Sequence, residues 1–103
     1  MNKAIRAAVM ARADGLCEAC YKWAGEALHC DHARGRRNAE SLESCWALCP
    51  VCDHLKTTND PSARKWVERF MAHCFAHGYA AEVALAETRL AVLAQKNAVK
   101  EKP

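Results

Sequence analysis

The sequence predicts a small α+β domain, mostly helical, built around a metal. Three observations predict it. Two Cys-x-x-Cys pairs, Cys17/Cys20 and Cys49/Cys52, flank a stretch holding two short apolar runs. Segments with helical apolar periodicity occupy both ends of the chain. The 103 residues make one domain with a limited core, for which a structural metal is a useful staple.

The elements follow in order. Residues 2–13 favour a helix by propensity, with Ile5, Ala8 and Val9 on one face and Lys3 and Arg6 away from it. Asp14-Gly15 ends that helix, Gly15 supplying a left-handed residue, so that residues 1–15 form an N-terminal helical segment. Cys17 to Cys20 make a first knuckle, covered by Tyr21, Trp23 and Leu28. Glu26 to Asp31 reads as a short strand. Alternation sends Leu28 and Cys30 to one side, and His29 and Asp31 to the other. His32 then stands opposite Asp31, unless the strand bulges. Residues 33–43 are a loop by composition, and Trp46-Ala47-Leu48 is a second strand that pairs back onto the first. Cys49 to Cys52 make the second knuckle and lead into a helix carrying Asp53, His54 and Lys56. Residues 57–61 break it, completing a core over residues 16–59.

Asp60 suits an N-cap and Pro61 a first helical position. The third helix runs to His77 with an apolar stripe of Ala63, Trp66, Val67, Phe70, Met71 and Cys74. Gly78 stops it. A last helix over Ala80–Asn97 buries Val83, Ala86, Leu90, Leu93 and Ala94. Leu85 and Val92 fall on its opposite side, a strip suited to a second copy or a partner protein. The C-terminal helices thus span residues 60–98, with a frayed tail after them.

Seven cysteines are an odd number, which argues against a closed disulfide framework. Two matched Cys-x-x-Cys pairs read as four thiolates on one structural zinc, in a reducing, cytoplasmic setting, rather than as a redox dithiol. The 28 residues between the knuckles leave room for an inserted pair of strands. Cys30, Cys45 and Cys74 read as small apolar fillers. The N-terminal apolar run, Ala7 to Ala11, is too short for a signal peptide, and no stretch reaches the length of a membrane span. A net charge of +3 permits a nucleic-acid partner.

Asp31-His32 at the strand end, then Leu48-Cys49-x-x-Cys52-x-x-x-Lys56-Thr57, behind a first Cys-x-x-Cys, resemble the HNH endonuclease family. The resemblance covers Leu16 to Thr57 and implies a ββα-metal (His-Me finger) core. It implies that Asp31 ligates a catalytic divalent ion and that His32 is the general base. Lys56 would contact a phosphate. Ser44 stands where the family has an Asn that pins the loop. After Cys52, where the family has His or Asn as second metal ligand, this chain has Asp53, with His54 one place later. Register favours Asp53 and ligand type favours His54. Two carboxylates would suit magnesium or manganese, whereas His54 would suit zinc, nickel or cobalt.

The cations Arg34, Arg36 and Arg37 would grip backbone phosphates, or form a solvated loop. The implied activity is nicking or cutting of double-stranded DNA with little sequence readout, leaving 5′-phosphate and 3′-hydroxyl ends. Ser44 and Asp53 depart from the family, so two other readings stay open: a non-catalytic zinc-held nucleic-acid-binding module, and an accessory subunit of a larger DNA-processing complex. His29 reads as a surface or supporting residue, and His73 and His77 as packing or surface residues.

Overall fold

A computed structural model describes residues 1–35, 40–58 and 64–101, with the side chains of 96–101 excepted. The chain forms two compact units, Met1–Asp60 and Pro61–Pro103. The described residues hold four α-helices and one two-stranded antiparallel sheet, a small, mostly helical α+β fold. None of the helices is long and apolar enough to cross a membrane.

The first unit opens with helix α1, Lys3–Ala13. Asn2, expected inside the helix, is its N-cap: its side chain accepts from the Ala4 N–H at 2.7 Å and the Ile5 N–H at 3.4 Å. At the other end Asp14 takes the left-handed conformation itself, with Gly15 following at φ 81°. The buried stripe differs from the expected one. Val9 and Ala13, one turn apart, are buried, whereas Ala8 is exposed and Ile5 half-buried.

The knuckle after α1 is a tight backbone turn. The Cys17 N–H donates to the Lys22 carbonyl at 2.9 Å, and the Tyr21 N–H to the Cys17 carbonyl at 2.8 Å. Ala24 and Gly25 both donate to the Gly15 carbonyl, at 2.8 and 3.0 Å. That turn carries the chain into a 3-10 turn over Gly25–Ala27, with Gly25 at φ 54°. The strand therefore starts later than residue 26: β1 is His29–His32. It pairs antiparallel with β2, Cys45–Leu48, in the register His29–Leu48, Cys30–Ala47, Asp31–Trp46, His32–Cys45. All four β2 side chains are fully buried. Leu28 is buried too, but Tyr21 and Trp23 do not cover the knuckle: they remain 61% and 74% exposed. Helix α2, Pro50–Thr58, follows with proline at its first position and Asp53 in its first turn, where a carboxylate suits the helix dipole.

One polar network ties these pieces together, and sequence reasoning did not find it. Arg12, on the last turn of α1, makes two hydrogen bonds to the Glu18 carboxylate, at 2.8 and 2.7 Å. It also donates to the Leu42 and Cys45 carbonyls at 2.6 and 2.8 Å. Glu18 lies inside the first knuckle and accepts from the Ala47 N–H at 2.9 Å, while its own N–H donates to the Ala47 carbonyl at 2.8 Å. The pair's side chains are only 9% and 6% exposed. Helix, knuckle and β2 are thus held by one buried ion pair whose donors and acceptors are matched.

The second unit is helix α3, Arg64–His77, packed on helix α4, Ala80–Glu101. Trp66, Val67, Phe70 and Cys74 are buried as expected, with Met71 half-buried; His73 is buried as well. Ala63, Asp60 and Pro61 lie outside the described residues. Gly78, at φ 75°, ends α3. On α4, Ala86 is buried, Val83, Leu90 and Leu93 are half-buried and Ala94 is exposed. Leu85 and Val92 are each 45% exposed, as the second strip requires. The helix runs on to Glu101 rather than fraying at residue 98, because no breaker stands before Pro103.

The Arg12–Glu18 pair yields a stability prediction. Arg12→Ala leaves the Glu18 charge buried and uncompensated, and should lower unfolding stability by about 3–5 kcal/mol. Arg12→Lys should recover little of it, because an ammonium cannot reproduce the forked contact. Urea denaturation followed by circular dichroism measures both.

Candidate metal centre and the groove beside it

Cys17 and Cys20 arrive from the knuckle after α1, and Cys49 and Cys52 from the turn into α2. Their four sulfurs lie within 4.8 Å of one another. The Cys20 and Cys49 sulfurs are 3.8 Å apart. Sulfurs at about 2.3 Å from a tetrahedral zinc are separated by about 3.8 Å, so the cluster already has the size of a zinc site. None of the seven cysteines is in a disulfide.

Their acid–base behaviour points the same way. Burial raises the Cys17 thiol, but the N–H groups of Cys49, Cys20 and Ala19 outweigh it and bring the thiol down to about 7. Burial raises Cys20 and Cys52, the latter strongly, and the Cys17 sulfur adds to the rise in both. Four packed sulfurs cannot all ionise without a cation among them. A dication removes that obstacle, since a coordinating thiol is deprotonated outright. The donor set therefore fits a structural zinc. Cys30 and Cys45 are likewise raised by burial, as apolar fillers should be.

Beside the sulfur cluster, β1 packs against α2. The ladder places His29 and Asp31 on the strand face turned to α2. The His29 Nδ1 lies 2.9 Å from Asp53 Oδ2. Two residues along the strand, Asp31 Oδ2 accepts from the buried Lys56 ammonium and the Trp46 indole N–H, both at 2.9 Å. Each acid thus keeps Oδ1 outside these contacts. A step of one helical residue turns a side chain by about 100°. Asp53 accordingly meets the strand, while His54 is exposed. Asp31, Asp53 and His54 do not form a three-ligand cluster among the described residues.

His32 is placed elsewhere. The ladder has no bulge, and pairing continues into Ala33 N–H to Ser44 carbonyl at 3.1 Å. Asp31 and His32 therefore leave β1 on opposite faces and are not brought together. The His32 Nε2 meets Glu40 Oε1 at 2.7 Å, and the other oxygen of Glu40 accepts the Asn2 N–H at 3.1 Å. The bond from His32, followed by that from Asn2, holds the Glu40 carboxyl below its ordinary value.

Ser44 is buried and closes a turn with Ser41. Its hydroxyl accepts from the Ser41 N–H at 3.0 Å, and its N–H donates to the Ser41 hydroxyl at 3.1 Å. Arg34 is half-buried, and Arg36 and Arg37 lie outside the described residues.

The His29–Asp53 contact and the Glu40 partner of His32 were missed as site residues. For His29 the signal was present, since it shares the strand face of Asp31. For Glu40, eight residues on in an irregular loop, no periodic signal existed. Compared with known proteins, the chain matches no family model, no curated protein and no solved structure. The resemblance to HNH endonucleases rests on its motif residues alone.

The sulfur cluster is tested by metal analysis. The purified chain should carry one zinc. Cys49→Ser should lose it and, with it, the circular dichroism signal of the first unit, because structural zinc and folding are coupled.

Proposed function

We propose that this chain is a metal-dependent endonuclease of the HNH kind, hydrolysing DNA phosphodiester bonds. One observation carries the proposal: Asp31 and Asp53, from segments far apart in sequence, both lie where β1 meets the start of α2, next to the sulfur cluster. A hard divalent ion such as magnesium or manganese would be held there by these two carboxylates. When bound, that ion would neutralise charge on the scissile phosphate and leaving oxygen.

The chain's own groups supply the rest. Lys56, once released from Asp31, would take a phosphate oxygen. In this arrangement the Glu40 carboxylate accepts from His32 Nε2. Once that contact opens, the imidazole would take the proton of the attacking water. For it to serve at Asp31, the end of β1 must turn and the His32–Glu40 contact must open. Catalytic contacts that are absent without substrate and form with it are common.

A second reading is favoured by the same closed contacts. With Asp31 held by Lys56 and His32 held by Glu40, the domain would bind nucleic acid without cleaving it.

Supercoiled plasmid incubated with magnesium or manganese separates the two. The nuclease nicks it, and His32→Ala lowers the rate by roughly 10²–10⁴-fold. Asp31→Ala is equally damaging, and Glu40→Gln less so. Wild type and variants equally inert across metals, with salt-sensitive DNA retardation intact, would leave the binding module.

A further inference from the structure

We propose that the tip of the first knuckle, Tyr21-Lys22-Trp23, is a stacking platform for an unpaired nucleobase. This names the form of nucleic acid the domain takes. It rests on the nucleic-acid reading above, but not on cleavage.

Trp23 is 74% exposed, yet it is not loose. A Cβ built on Gly15 would lie 2.3 to 2.9 Å from three atoms of its six-membered ring, and one on Gly25 3.3 Å from the same ring system. The indole therefore lies flat on two glycines, where no other residue leaves room. The pairing of Leu16 with Trp23 fixes the backbone beneath it. The two glycines seat the ring, which stays largely open to solvent. An open cleft of about 690 Å³ adjoins it, lined also by Met10, Ala24, Glu26, Ala27 and Leu28.

Tyr21 is the second, independent observation. It sits at φ 63°, in the left-handed region, and is 61% exposed. A bulky residue is strained in that region, and glycine would fit without strain. The knuckle turn holds this exposed ring at a defined place, through the Tyr21 N–H to the Cys17 carbonyl. Lys22, exposed between the two aromatics, sets a cation within reach of a backbone phosphate. Aromatic faces with an interleaved cation suit a single-stranded nucleic acid, whose bases offer π-faces that a duplex hides.

Fluorescence tests this without added divalent ion, so that no cleavage occurs. Trp46 and Trp66 are 0% and 3% exposed, so the solvent-exposed, red-shifted emission belongs to Trp23. A short oligothymidylate should quench that emission and bind more tightly than its duplex with oligoadenylate. Trp23→Ala should weaken oligothymidylate binding on the order of tenfold, and Trp23→Phe should weaken it less.

Tyr21→Gly gives the control against mere misfolding. It should weaken binding while keeping zinc and leaving the thermal midpoint no lower, because it relieves strain. Absence of quenching, equal affinity for strand and duplex, or Tyr21→Gly that destabilises the chain and leaves binding unchanged would each overturn the proposal. Plasmid nicking is read separately, so failure of cleavage and failure of stacking are distinguishable.

Discussion

Four sulfurs converge from two segments that the sequence separates by 28 residues. Everything in the first unit is arranged by that convergence. The sheet has two strands of four residues each, too little to stand alone in water. A structural zinc in small domains supplies on the order of 10–16 kcal/mol of apparent binding free energy, which becomes folding free energy. That is enough to close the loop between the knuckles and to press a short hairpin against the start of a helix. Once β1 faces α2, the positions of Asp31 and Asp53 follow from strand alternation and helix phase.

The Arg12–Glu18 network does a different job in the same place. Glu18 lies between Cys17 and Cys20, and its carboxylate reaches both the α1 arginine and the β2 backbone. The sulfur cluster and the ion pair therefore flank the same strand. A buried pair of this kind is weak evidence for net stability, but each of its partners is strongly needed once the other is present. The arrangement makes the knuckle a shared joint of helix, sheet and metal rather than a separate appendage.

How much of this was legible follows physical lines. The four-thiol site was, because Cys-x-x-Cys has few meanings and two of them have fewer. The α3 stripe at Trp66, Val67, Phe70 and Cys74 was, because a period of 3.6 is written in the residues. Asn2 was misplaced by one position, since propensity does not separate a cap from a first turn. The strand start was misplaced because Gly25, at positive φ, bends the chain through a 3-10 turn before pairing begins. The opposite placement of Asp31 and His32 was contained in strand alternation, and the regular ladder keeps it. Glu40, Glu18 and Arg12 were not legible as partners, because ion pairs across loops leave no periodic trace. Tyr21 and Trp23 were read as cover for the knuckle by their apolar character alone. Only the backbone turn reveals that they point away from it.

The clamp is the claim on which the strand–helix contact, the ion pair and the platform all depend. X-ray absorption at the zinc edge of the purified protein tests it most directly. The account predicts a single shell of four sulfurs at about 2.3 Å from the metal. A shell containing nitrogen or oxygen in place of sulfur, or a folded protein with no bound metal, would contradict it.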